Sequence, residues 1–217
     1  MKAFTSDPGL VDQFATAAMR LAVWAKQLEN ADSKNPALCF VRGMQASAML
    51  VPVLTALALY PAAAAAIRSM LENALYYTYF RSHHSELATL VRDNTYYVDR
   101  SYVTDYHKKH TRNFSELQDA SGLLSRLSST YSELSSVVHG QVPGAWSPLA
   151  SIEGAHPRPA TVNKVAVKFQ EAEALIHDLF LCTCGQELWN DFSTSAKGKL
   201  LKGLSGQYKV VLALDSA

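Results

Sequence analysis

The chain has 217 residues, 48% hydrophobic and 18% charged, enough to bury a core within one globular domain. Its 20 Lys and Arg stand against 19 Asp and Glu, which excludes a global electrostatic pull toward nucleic acid or anionic lipid; any such site has to be a local patch. Cys39, Cys182 and Cys184 are odd in number and spaced for neither a zinc knuckle nor a redox CxxC, and the opening MKAFTSDPGL lacks the apolar run of a secretory signal. The expectation is a reduced, cytoplasmic protein.

Helical periodicity dominates and no stretch alternates as a sheet requires, so the reading is all-α, one domain over 1–217. Ser6, Asp7 and Pro8 signal a first helix over 9–29, with Phe14, Ala18, Leu21, Trp24, Ala25 and Leu28 on its apolar face. A second helix is expected over 37–59, kinked at Pro52, and a third over 61–82 with Pro61 in its first turn. Residues 46–67, ASAMLVPVLTALALYPAAAAAI, carry no charge over 22 positions, long enough to cross a bilayer. Two prolines and an alanine run make the stretch less apolar than a typical span, so it is read as the end of one buried helix and the start of another, with no membrane partner.

A long polar helix is predicted over 86–110, rich in tyrosine, and another over 121–138. Residues 140–161, GQVPGAWSPLASIEGAHPRPAT, hold four prolines and three glycines and read as a long loop of the kind that often carries function. Helices over 162–192 and 197–214 complete a bundle of six to seven.

Arg68 and Glu72, four apart, share one face of the third helix beside Tyr76 and Tyr79. Ser132, Ser135 and His139 share a face of the helix ending in YSELSSVVHG. If the two faces meet, Arg68, Glu72, Ser135 and His139 form a polar cluster that must be fully hydrogen-bonded to be tolerated inside the bundle. His139 has two readings: a cation favoured by the helix C-terminus with Gly140 as the left-handed residue beyond it, or half of an active site. His107 and His110, three apart, are half of a metal pair with no second half in the sequence, so neither metal nor cofactor is expected. The run YVTDYHKKHTRNF reads first as a solvated helix end favoured by its dipole; it also places Lys108, Lys109 and Arg112 among Tyr102 and Tyr106, cations for phosphates and rings for bases.

Taken together, RSMLENALYYTYF after an Ala-rich helix start, YSELSSVVHGQ, and the late GKLLKGLSGQYKVVL resemble the HEPN superfamily of small helical bundles, in particular uncharacterised bacterial defence and abortive-infection members pairing an R-S-x-x-E helix with an L-S-x-x-V-H helix. That resemblance implies metal-independent RNA cleavage by an arginine and histidine spaced R-x4-6-H on one helix, within a homodimer, under control of a neighbouring antitoxin or defence protein. Physically, histidine moves the proton and a guanidinium holds the phosphate oxygens. The sequence departs from the motif: Leu134, Glu133 and Ser132 stand five, six and seven residues before His139, and Arg126 is 13 away. Only His139 matches; Arg68 from another helix is the geometric substitute. Two functions therefore stand side by side, an RNA-cleaving effector and a non-catalytic RNA- or protein-binding module.

Overall fold

A computed structural model describes residues 8–141, 146 and 156–214. Among them are eleven α-helices and no strand: α1 (Pro8–Ala31), α2 (Leu38–Ala56), α3 (Tyr60–Phe80), α4 (His84–Arg92), α5 (Arg100–His110), α6 (Phe114–Ser121), α7 (Leu123–Val138), α8 (Pro159–Cys182), α9 (Cys184–Leu188), α10 (Thr194–Leu201) and α11 (Gly206–Leu212). The all-α reading stands, while the count of six to seven is corrected to eleven because three predicted helices are broken and one was missed. Most of the 140–161 loop lies outside the described residues.

Each break has a local cause. The predicted 86–110 helix divides where Asp93 accepts from Thr95 N at 2.9 Å and Asp99 from Ser101 N at 2.7 Å. The first is a turn competing with helix, the second the N-cap of α5. Asn113, at φ 57°, turns the chain into α6, the missed helix. The predicted 162–192 helix breaks at Thr183, at φ −125° and ψ −105°, and the 197–214 helix before Ser205, which caps α11 through Tyr208 N.

At the centre lies α3, buried along most of its circumference by α2, α5, α7 and α8. Ala63, Ala64, Ile67, Met70, Leu71 and Ala74 fill these contacts, and small side chains let the neighbours come close. Gly43 of α2 faces Asn73 of α3: a Cβ there would stand 2.5 Å from Asn73 Oδ1, so the approach requires glycine or a displaced amide. Trp24 of α1 packs edge-on against Phe180 of α8, which also takes the edge of Tyr77, joining three helices in one aromatic core. Beyond the exposed Ala62 and Ala65 of its first turns, this packing leaves on α3 a half-buried stripe of Arg68, Ser69, Glu72, Asn73 and Tyr76.

By length and composition, α2 is apolar enough to cross a membrane. One side packs on the bundle through Leu38, Val41, Met44, Ala48 and Val51, and the other exposes Met49, Leu50 and Val53. The helix runs through Pro52, which has no N–H to donate to the preceding turn.

Candidate functional site

The half-buried stripe of α3 meets the end of α7. YSELSSVVHG stops as a helix because Gly140, at φ +62°, takes the left-handed conformation. Gln141 N donates to Ser136 O at 2.9 Å and Gly140 N to Val137 O at 3.2 Å, the paired bonds of a Schellman ending. His139 is the last residue of this cap, exposed. Its Nε2 lies 3.2 Å from Arg68 Nη1. A guanidinium only donates, so Nε2 is the acceptor and the imidazole proton sits on Nδ1.

Arg68 also donates from Nε to Glu72 Oε1 at 3.0 Å and to Tyr131 Oη at 3.1 Å, and Tyr131 donates to the same Glu72 oxygen at 2.6 Å. Burial pushes the Tyr131 phenol upward, with the Glu72 hydrogen bond and charge adding to this and Arg68 opposing, so it remains a donor. For Arg68, desolvation opposes the charge, but Glu72 and Tyr131 outweigh it and hold the guanidinium firmly protonated. Arg100, the first residue of α5, brings a second guanidinium 4.7 Å from the Tyr131 ring centroid, with Arg68 at 4.9 Å. Two cations on one ring concentrate positive charge that Glu72 only partly offsets.

Arg68, Glu72, Tyr131 and Arg100 open onto a cavity of about 340 Å³, which His139 adjoins through Arg68 without lining it. Leu75 and Val98 supply its apolar lining, Tyr76 and Tyr97 its further rings, and Asp99 a second carboxylate already engaged in capping α5. Hydrogen bonds from the Ser101 hydroxyl and amide hold the Asp99 carboxyl below its ordinary range. Tyr97 is 73% exposed, a ring face open to solvent. Neither the Arg68 Nη2 nor the Arg100 guanidinium has a hydrogen-bond partner among the described residues.

Of the predicted cluster, Arg68, Glu72 and His139 are together; Ser135 lies on the same side of α7, but its hydroxyl bonds none of them. Sequence reasoning missed Tyr131 and the role of Arg100. The signal for Tyr131 was present, since Tyr131, Ser135 and His139 fall at i, i+4 and i+8.

The second predicted set is divided. Tyr102 is exposed and meets Tyr79 edge-on, whereas Tyr106 packs among Tyr79, His83 and His110 and is not a free stacking surface. Lys108 pairs with Asp105 at 3.0 Å; Lys109 and Arg112 are exposed. Arg92 ends α4 and shares no helix face with Lys108 of α5.

His107 is buried, with Nε2 2.9 Å from Thr78 Oγ1 and Nδ1 2.7 Å from Thr111 Oγ1. Thr78 spends its proton on Leu75 O, so His107 Nε2 is the donor and Nδ1 accepts from Thr111. Both nitrogens are thereby engaged, and the His107–His110 pair offers no metal site. Burial first, then the charges of His83 and Arg81, push its pKa down to about 4. Among the described residues no group of three His, Cys, Asp or Glu is placed to hold a metal ion.

No family model, curated protein or solved structure matches the chain. What it is, at the level these comparisons and the fold allow, is an all-helical protein, and the HEPN likeness rests on the quoted residues alone.

Proposed function

We propose that the cavity between α3, α5 and α7 binds a phosphodiester of single-stranded RNA, and that the protein is a metal-independent endoribonuclease with a defence-associated role. The observation that carries this reading is the 3.2 Å contact between Arg68 Nη1 and His139 Nε2. It supplies from α3 the guanidinium that α7 lacks at motif spacing, next to the one residue that matches the HEPN motif. The free donors of Arg68 and Arg100 suit phosphate oxygens, and the exposed ring of Tyr97 suits a base.

In the proposed reaction the incoming phosphate draws Arg68 Nη1 away and frees the His139 Nε2 lone pair. His139 then takes the proton of the ribose 2′-OH, whose oxygen attacks the adjacent phosphorus. The P–O5′ bond breaks, water protonates the leaving oxygen, the hydroxide so formed takes the proton held by His139, and the products are a 2′,3′-cyclic phosphate and a 5′-hydroxyl. Arg68 and Arg100 hold the non-bridging oxygens as charge develops on them. Glu72 and Tyr131 are positioning residues, because they touch Arg68 and not the reacting atoms.

A second reading, RNA binding without cleavage, is favoured by a specific feature: Glu72, Tyr131 and Arg68 already satisfy one another, and among the described residues no second free acid is bonded to His139. Purified protein incubated with mixed RNA oligonucleotides in EDTA separates the two. Cleavage lost in His139→Ala, with folding and sedimented mass unchanged, supports the first. Binding that depends on Arg68 and Arg100 without cleavage supports the second. Neither binding nor cleavage overturns both. The same sedimentation run reads whether two copies pair, for which the exposed apolar side of α2 is the supporting surface.

A further inference from the structure

A larger hollow lies on the opposite pairing of helices. It holds about 840 Å³ between α1, α8 and α10 and adjoins a smaller one of about 250 Å³, the two sharing Met19, Val23 and Lys199 as lining. Together they run along α1 from Ala15 to Gln27, roughly 18 Å at the helical rise. The lining is largely apolar: Ala17, Val23, Ala174 and Leu200 in the first part, Ala22 and Ala196 in the second. Met19 lines both parts, 64% exposed, an unbranched and adaptable side chain suited to a variable apolar guest.

Charge on this trough is one-sided. Among the described residues its only carboxylate is Glu173, buried and held in a two-bond ion pair by Arg20. Lys26, Lys199 and Lys202 are exposed around it, and none has an ion-pair partner among the described residues. The Arg20–Glu173 pair neutralises itself, so the three lysines are surplus positive charge beside an elongated apolar floor.

We infer that this trough binds an amphiphilic anion, an extended acyl chain lying along α1 with its carboxylate or phosphate head held by Lys199 and Lys202. The apolar length accommodates the tail, and the described lining holds no free carboxylate to repel the head. A neutral amphiphile would gain the same apolar contact without the ion pairing. A bare anion would gain the ion pairing without the apolar contact. Binding therefore requires both halves of the ligand.

The test is calorimetric titration of the full chain with sodium laurate below its micelle concentration. Dodecyl maltoside serves as the neutral probe, inorganic phosphate as the bare anion and phosphatidylglycerol vesicles as the membrane source of the same chemistry. Laurate is expected to bind saturably at one site, at least about tenfold tighter than either maltoside or phosphate. The double variant Lys199→Glu, Lys202→Glu, whose side chains are exposed, is expected to weaken laurate by a similar factor with its unliganded melting unchanged. Ala22→Trp, filling the smaller hollow from an exposed position, is expected to weaken laurate and leave those lysines in place. Equal binding of laurate and maltoside, indifference to the charge reversal, or no saturable laurate binding overturns the inference. Association with vesicles alone overturns it as well, by making the face a membrane-surface patch.

Discussion

Arg68 with Glu72 and Arg20 with Glu173 are the same chemical pair built in two ways. The first comes from one turn of α3, with side chains 24% and 37% exposed. The second joins residues 153 apart in sequence and leaves the glutamate side chain only 4% exposed. A pair at i and i+4 forms wherever its helix forms, so it contributes little to tertiary structure, and its donors can change partners when a ligand arrives. A pair across two helices fixes α1 against α8, and there the carboxylate has no water to fall back on. Burial pushes Glu173 upward while Arg20 pulls it back, whereas at the α3 site a phenol and an imidazole share the arginine. One pair holds the fold; the other is free to act.

The sharpest way to break this contrast is to remove each arginine. Arg20→Ala leaves a buried carboxylate without its cation and is expected to cost about 3–5 kcal/mol of folding stability. Arg68→Ala is expected to cost about 1 kcal/mol or less, because Glu72 is partly in water and keeps Tyr131 as a donor. Urea unfolding of the two variants reads the difference directly. Similar losses would mean that the α3 pair also carries the fold, and the case for it as a binding site would weaken. Replacing both buried partners, Arg20→Met with Glu173→Leu, is expected to recover most of the loss.

Acidity tests whether the bundle beneath the two pairs is equally closed. Trp24 Nε1 donates to His177 Nδ1 at 2.9 Å on the α1–α8 side, while His107 is hydrogen-bonded behind α3. Burial is the main cause that lowers their pKa values to about 3 and about 4, well below the ordinary 6.5. The sign follows: both are neutral when folded and protonate more easily when unfolded, so the unfolded chain binds more protons below about pH 6.5. Their contribution is full above that value and is lost as pH falls toward the folded values. Each is expected to remove roughly 2 kcal/mol between pH 6.5 and 5. Glu173 and Asp178, raised by burial, act in the opposite direction. The clean measurement is therefore a difference, with His107→Gln flattening the stability profile over that range. An unchanged slope would mean that His107 is already accessible to water and that the core behind the candidate site is open.

The sequence showed the α3 site better than the buried one, and for a physical reason. Helical spacing displays which residues share a face, so Arg68 with Glu72, and His139 at a helix end before Gly140, were readable from positions alone. Arg20 with Glu173 was not, because nothing local ties residue 20 to residue 173. The same limit hid Arg100: its place over Tyr131 depends on α5 starting at Asp99, and the predicted 86–110 helix ran straight through that cap. Asp93 before Thr95 and Asp99 before Ser101 were available as turn and cap signals, but the polar periodicity of the segment obscured them. Helical class survived these errors because core positions such as Leu21, Trp24, Phe169 and Ile176 recur at the helical period whether or not a helix is later broken.

The smallest expected effect is the most discriminating for the candidate site. Tyr131 serves Arg68 in two ways, through a hydroxyl that bridges Arg68 and Glu72 and through a ring that lies beneath both guanidiniums. Tyr131→Phe keeps the ring and deletes the bridge. It is expected to cost about 1 kcal/mol or less in stability, since Glu72 retains Arg68 and is not fully buried. If the site binds phosphate by re-partnering Arg68, the hydroxyl competes with the ligand, and the phenylalanine variant binds an RNA oligonucleotide as well as the wild type or slightly better. Tyr131→Leu removes the ring that gathers Arg68 and Arg100, and binding falls while stability changes comparably. Weakening by both variants to the same extent would make the hydroxyl a ligand contact. Indifference to both would mean that the two arginines do not act together, leaving the α3 pair no more than one turn of a helix holding itself.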